Sequence, residues 1–457
     1  METIIIILFV LGYLAIAIEH NLKIDKLIPA LVMMAALWAI VATTHMDVFE
    51  VNAELKELEP TDLQSILLHH LGKTAEILIF LMGAMAIVEI IDFFDGFGTI
   101  KRYIKTKNKR KLLLIFSILA FILSAIIDNL TTTIVLVTIV QKVIKDRQLR
   151  LWFAGIVVIA ANAGGAWSPI GDVTTTMLWI GNKVTTLALI EHVLIPSIAC
   201  VAVPTLIASR LPIFKGEIET EEDLMETAGS TSKYGPIMLY LGLGFIIFVP
   251  IFKTVTHLPP YVGMMLSLAL VATFAEIFSR KKFALTTLTQ EDENSVAYHS
   301  PLHHSLGRIE MPSILFFLGI LMAVAALESL GMLFHFAETL DKTIPMLGTE
   351  SVGEKVSDLV VIILGFASAV IDNVPLVAAS MGMFSIGVDD PVWHFIAYSA
   401  GTGGSMLIIG SAAGVVAMGM EKIDFFWYLK KIGWLAMIGF LSGSIVFILM
   451  RNLVLNA

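Results

Sequence analysis

Three features of the sequence predict an all-α polytopic membrane protein made of two inverted-topology repeats. Of the 457 residues, 57% are hydrophobic and 15% charged, and the mean hydropathy of +0.86 lies far outside the soluble range. Apolar stretches of the length a helix needs to cross hydrocarbon, about 17 to 25 residues, recur from one end to the other, with no room for a soluble domain between them. Finally, the heptapeptide SAIIDNL at 124–130 returns as SAVIDNV at 368–374, each copy inside a long apolar stretch. A carboxylate in hydrocarbon costs at least ~2.5 kcal/mol, so such residues usually mark ion or proton pathways. The pairs Asp128-Asn129 and Asp372-Asn373 therefore read as two halves of one intramembrane site.

Ten crossings are expected near 3–18, 27–43, 76–96, 151–184, 187–209, 235–252, 260–278, 312–334, 391–420 and 432–450. The first begins almost at Met1 without a basic flank and ends in Glu19-His20, which reads as a retained helix and not a signal peptide. Two helical hairpins, about 111–141 and 355–387, each turn at an Asp-Asn pair. Their second arms are short for a full crossing, and Pro375 suits the first turn of a new half-helix. The crossings at 151–184 and 391–420 are broken by Gly164-Gly165, Pro169 and Gly171 in the first and by Gly403-Gly404 and Gly410 in the second. Residues 1–210 then form the first repeat, 211–234 a polar cytoplasmic connector and 235–457 the second repeat.

Basic residues orient the chain. Lys101 to Lys111 before the first hairpin, and Lys142, Lys145, Arg147 and Arg150 after it, belong on the cytoplasmic side. Counting outward puts Lys23, Lys26, Arg280, Lys281, Lys282, Lys422, Lys430 and Lys431 inside, with the acidic stretch Asp47 to Asp62, Asp389-Asp390 and both termini outside. Five crossings per half is odd, so the second half runs inverted. Inverted repeats with discontinuous helices are the mark of secondary transporters, which hold substrate near the midplane. The order of two weaker matches supports the duplication: Phe80-Leu81-Met82-Gly83 with Phe316-Phe317-Leu318-Gly319, and Ala163-Gly164-Gly165 with Thr402-Gly403-Gly404.

Broken backbone at membrane depth is tolerated where it lines a cavity, and its free carbonyls can bind a cation. Around the first break lie Asn162, Ser168, Asp172, Thr174, Thr175 and Thr176, a dense set of hard oxygen donors suited to an alkali cation. The second break offers Thr402, Ser405 and Ser411 but no carboxylate, so the site is expected to be pseudo-symmetric, with Asp172 opposite Ser411. Na+ is expected at Asp128, Asp172 and Asp372, with Asn129, Asn373, Thr131, Thr132 and Thr133 supplying neutral ligands or holding the turns. Desolvation favours the protonated carboxyl and a bound cation favours the carboxylate, so proton and cation compete. If the carrier reorients only when one of them is bound, that competition is sufficient for antiport. Glu89, Asp92 and Glu328 are second-rank candidates for a proton relay.

Blander readings stand beside these. An Asp-Asn pair at a helix junction can be an N-cap, Asp172 can cap a half-helix, and a membrane threonine can bond its own backbone. The single Cys200 excludes an intrachain disulfide framework, and His69-His70 and His303-His304 read as polar loop residues with no metal context. Small residues in the helices serve close packing.

The stretches IIDNLTTT, VIDNVPL and NAGGAWSPIGDVTTT resemble the NhaD-type sodium/proton antiporters of the broad ion transporter superfamily, over essentially the whole chain. The resemblance implies exchange of Na+ and Li+ for H+ across a bacterial inner membrane, important in alkaline or saline conditions. It implies a functional set of Asp128, Asn129, Thr131, Asn162, Asp172, Thr174, Thr175, Ser368, Asp372 and Asn373. It also implies a scaffold with a separate transport domain, a homodimer in membrane lipid, and no cofactor beyond the transported ions; nothing points to nucleic acid. The rival is a Na+-coupled carrier of an organic or inorganic anion, held by helix N-termini. Against it, aspartates replace the neutral Ser of the related dicarboxylate motif, and no Lys or Arg falls within the expected crossings apart from Lys183 at the very end of 151–184. An intramembrane aspartyl protease would need Tyr-Asp and Gly-x-Gly-Asp contexts that are absent here, and the broken-helix pattern disfavours a passive channel.

Overall fold

The computed structural model describes residues 2–17, 24–52, 57–101, 106–218, 234–287, 300–333, 335, 356–370, 373–384 and 386–455. Asp372 lies outside the described residues, as do Lys23, the connector from Glu219 to Lys233 and the side chains of Arg280, Lys281 and Lys282. The chain is a multi-pass α-helical membrane protein: among the described residues, eight helices are long and apolar enough to cross a bilayer, beside several shorter apolar ones.

The first half runs through α1 (Glu2–Ala17), α2 (Leu27–Thr43), α3 (Leu63–Phe93) and the short α4 (Gly98–Lys101). It continues with the hairpin α5 (Lys109–Ile127) and α6 (Asn129–Val143), the broken pair α7 (Arg147–Ala166) and α8 (Val173–Ile180), and α9 (Thr186–Ser209). The second half has α10 (Gly235–Thr256), α11 (Pro260–Thr287), the short α12 (Pro301–Leu306) and α13 (Met311–Ser329). Its hairpin is α14 (Asp358–Ser368) and α15 (Asn373–Met383), its broken pair α16 (Pro391–Gly403) and α17 (Ala412–Glu421), and α18 (Phe425–Tyr428) leads into α19 (Trp434–Met450).

Caps set many of these starts. Asn108 accepts the Arg110 and Lys111 amides ahead of α5, Asp146 the Gln148 amide ahead of α7, and Asp390 the Val392 amide ahead of α16, where Pro391 fits the first turn. Asp62 does the same for α3 by accepting the amides of Gln64 and Ser65. That cap starts α3 a full thirteen residues before the expected crossing at 76 and corrects the loop reading of His69-His70, as the short α12 corrects that of His303-His304. His69 and His70 are helical, with His70 buried, and His303 and His304 lie in α12. The acidic stretch holds a further element not expected from the sequence: strands Val48–Asn52 and Glu57–Thr61 pair antiparallel, Val48 opposite Thr61. The ribbon rests on α3 and α13, burying Val48.

Helix contacts sort the chain into two bodies. In one, α2 packs on α1 and α13, and α3 on α11, α12 and α13, with α10 on α11. In the other, α7 packs on α5, α6, α9 and α17, while α16 packs on α14, α15, α9 and α19. The bodies touch along a thinner seam formed by α13 on α15, α3 on α8 and α10 on α5. The first body thus takes the opening helices of each half, and the second takes the hairpins, the broken helices and the closing helices.

Candidate ion site

Both halves bring a hairpin to a broken helix by the same backbone device. A Cβ on Gly164 would stand 2.3 Å from the Phe121 carbonyl oxygen, and one on Gly403 2.0 Å from that of Gly365. Within the breaks, a Cβ on Gly165 would stand 2.5 Å from the Gly171 carbonyl oxygen, and one on Gly404 2.5 Å from that of Gly410. Backbone meets backbone at these points, which only glycine allows. A serine staples each crossing: the Ser124 hydroxyl donates to the Ala161 carbonyl at 2.5 Å, and the Ser368 hydroxyl to the Ala400 carbonyl at 2.7 Å. Ser368 was expected among the ion-site residues; in this arrangement its proton is committed to the staple. Ser124 was not singled out, although both heptapeptide copies begin with serine.

The glycine crossings set the hairpin turn against the break. Asp128 occupies φ 82° and ψ 160°, a region almost reserved for glycine, which costs about 1–3 kcal/mol. Its carboxylate holds that turn by accepting from the Thr131 amide at 2.7 Å and the Thr131 hydroxyl at 2.9 Å. Capping and exposure to the site coexist here, because Asp128 also lines the cleft described below.

Asp172 behaves differently. It precedes α8 and makes no side-chain cap bond. Instead its Oδ1 accepts from Asn129 Nδ2 at 3.3 Å, and its Oδ2 accepts from Asn373 Nδ2 at 3.1 Å and from the Thr174 hydroxyl at 2.5 Å. The asparagines of both hairpins therefore meet on one carboxylate that is only 4% exposed. Asn129 Nδ2 also reaches Asn162 Oδ1 at 3.1 Å, and Asn162 Nδ2 crosses to the hydroxyls of Ser405 at 2.9 Å and Ser411 at 2.8 Å. This chain of side chains joins the two breaks.

The remaining candidates fall into three groups. Thr175 and Thr176 tie the break itself, donating to the carbonyls of Asp172 and Pro169, while Ser168 accepts weakly from the Ile170 amide and Thr402 donates to the Tyr398 carbonyl. The buried Thr132 hydroxyl has no hydrogen-bond partner among the described residues. Glu89 and Asp92 are not brought to the site: both face Arg308, at 3.9 and 3.7 Å, and Asp92 is exposed. Glu328 lies on α13 against Gly382 of α15, at the seam and away from Asp172.

A cleft of about 850 Å³, part of it open to solvent, runs along the seam to this network. Lys26, Glu310 and Ser313 line it where Glu310 is exposed, and Asp128, Asn129, Asp172, Thr176 and Asn373 form its polar floor. Between them the walls are apolar, with Phe80, Leu81, Met85, Ile246, Phe316 and Phe317 from the first body. Such a passage offers an ion no polar partner before the floor. Among the described residues, no group of three or more His, Cys, Asp or Glu is placed to hold a resident metal.

The chain is similar to known transporters over most of its length. A family model described as Citrate transporter matches residues 6–393. Sodium/proton antiporter 1 of Arabidopsis thaliana is 39% identical over 450 residues, covering 98% of this chain and 72% of that protein. Sodium/proton antiporter 2 of the same plant is 36% identical, covering 98% and 99% of the two chains. The Na(+)/H(+) antiporter NhaD of Vibrio cholerae is 30% identical over 471 residues, covering 99% and 91%. The chain belongs to the NhaD-type sodium/proton antiporter family, among the transporters that the citrate transporter model describes.

Proposed function

We propose that the protein exchanges Na+ for H+ across the membrane, with cation and proton competing for Asp172 and Asp128. The observation that carries this reading is the convergence of Asn129 and Asn373, one from each hairpin, on the buried Asp172 carboxylate. A carboxylate removed from water needs a proton, a cation or a full set of donors. Here two amide groups and the Thr174 hydroxyl surround it. If both amides turn over, their Oδ1 atoms face the same point and, with a carboxylate oxygen, make a cage of hard oxygens suited to Na+ and Li+. Protonation of Asp172 releases that cage, so one site serves both ions in turn.

The seam supplies the motion. The hairpin and broken-helix body forms the floor and the other body forms most of the apolar wall, so rocking one against the other exposes the floor to alternate sides. In this reading the halves are inverted repeats, the first body is a scaffold and the second a transport domain, and Asp372 completes the site from the second hairpin. We place the protein in a bacterial inner membrane as a homodimer, with both termini outside. A second reading, Na+-coupled anion transport, is favoured by the description of the matching family model. Two aspartates on the cleft floor oppose it, since an anion would meet like charge there.

Everted vesicles separate the two. Na+ or Li+ should collapse a respiration-driven ΔpH in vesicles carrying the unmodified chain, while Asp128→Asn, Asp172→Asn and Asp372→Asn should each remove most of the response. Citrate uptake in a Na+ gradient without any Na+-dependent ΔpH change would establish the anion reading instead.

A further inference from the structure

The cleft ends where an aromatic plug crosses the seam. Along α3, Met85 and Ala84 line the cleft on the turn nearer Glu89 and its partner Arg308, and Phe80 lines it one turn farther from that end. Beyond Phe80 stands Trp179, 1% exposed, with ring centroids 6.1 Å apart and planes at 75°. Trp179 belongs to α8, whose first turn carries Asp172 at its N-cap and Thr176 in the floor. On the far side, Lys253 of α10 donates from Nζ to the Trp179 carbonyl at 2.8 Å and lies 4.5 Å from the centroid of the Trp179 ring. Its Nζ is also 3.5 Å from Asn182 Oδ1. Lys253 thus satisfies a carbonyl in the last turn of α8, where a cation is favoured, and covers the indole face at the same time. Phe80 and Lys253 come from one body and Trp179 from the other, so the cluster spans the seam that must shear during exchange.

The mouth carries the counterpart in its open form. By the internal match, Phe316 stands where Phe80 stands in the first half, and Lys26 Nζ lies 4.7 Å over its ring. Phe80 and Phe316 both line the cleft, but Glu310 beside Phe316 is exposed, which marks that end as open, whereas Trp179 behind Phe80 is buried and shuts the other.

We propose that Phe80, Trp179 and Lys253 form the seal that closes the ion site to one side of the membrane. Lys253 is a positioning residue that acts through α8. The proposal rests on the alternating exchange set out above, and it makes breakage of the Lys253 contacts a required step of every cycle. Loss of a part-buried cation–π contact and its hydrogen bond shifts the balance of the two states by about tenfold.

The single Cys200 makes the test direct. In a Cys200→Ala background, Ala84→Cys places a thiol just inside the seal on the cleft wall. With the protein in vesicles of known orientation, at fixed pH without Na+, an impermeant maleimide should label this thiol rapidly from the Lys26 side and slowly from the Lys253 side. Trp179→Ala and the milder Lys253→Met should each raise the Lys253-side rate about tenfold, and Lys253→Arg, which keeps both the cation and the donor, should leave it slow. Equal labelling from both sides with the seal intact overturns the proposal. So does an unchanged Lys253-side rate in monodisperse Lys253→Met protein. Na+-driven proton movement by the unmodified chain, read in the same vesicles, keeps the two claims apart. If it is absent while labelling behaves as expected, the exchange reading fails; if it is present while labelling ignores the seal variants, the seal fails.

Discussion

Asp172 and Ser411 occupy matching places at the start of the second piece of each broken helix, yet their side chains do different things. Ser411 accepts the Gly414 amide at 3.2 Å and so caps its own helix, while also receiving Asn162. Asp172 leaves its helix uncapped and collects the two hairpin asparagines instead. Around this difference the backbone is repeated closely, with the same glycine crossings and the same serine staples in both halves. Asn162 deepens the contrast, because its counterpart is Gly401, which has no side chain to send across. The two halves therefore share these backbone contacts and differ in charge at the break, where one has a carboxylate and the other a hydroxyl, and comparing them separates positions that carry the fold from those that carry the chemistry.

The sharpest way to break this comparison is to exchange roles at its asymmetric position. Asp172→Asn should abolish Na+-driven ΔpH collapse, whereas Ser411→Ala should keep exchange and lose only a cap and one acceptor, about 1–2 kcal/mol of stability. Equal loss of exchange in the two variants would mean that the site is symmetric after all. Next in size are Gly164→Ala and Gly403→Ala, whose added methyl groups meet carbonyl oxygens at 2.3 and 2.0 Å. Each overpacks a contact that backbone cannot relieve, at about 1–3 kcal/mol or more, and both should lower the temperature at which detergent-solubilised protein stays monodisperse. A methyl tolerated in only one half would show that the two crossings differ in tightness.

Asn162→Ala should have an intermediate effect. It removes the link between Asn129 and the pair Ser405 and Ser411, so the apparent KM for Na+ should rise with the protein still folded. The smallest effects belong to the staples: Ser124→Ala and Ser368→Ala should each cost about 1 kcal/mol of thermal stability and shift Na+ affinity alike. A loss of Na+ binding confined to Ser368→Ala would restore that residue to the ligand set.

Much of this was legible in the sequence, for physical reasons. Hydrocarbon demands long apolar helices, and it penalises charge and broken backbone, so crossings, hairpin tips and breaks stand out one by one. Hydrogen-bond direction does not stand out. Nothing local says that Asp128 caps its turn while Asp172 does not, or that Asn162 reaches across to the other half. The start of α3 was missed because His69, His70 and Lys73 look polar, although the Asp62 cap and a buried His70 carry the helix through them. Lys253 was passed over because its partner Trp179 lies 74 residues away, on a helix that only the fold brings near.

The central claim is that Asp172 is the carboxylate shared by proton and cation. Titration of purified protein with Na+ in two buffers of different ionisation enthalpy measures affinity and protons released together. The account predicts proton release on Na+ binding and an apparent Kd that rises about tenfold for each pH unit of acidification where the proton competes. Both should be lost in Asp172→Asn and kept in Ser411→Ala. Unchanged Na+ affinity and proton release in folded Asp172→Asn protein would contradict it.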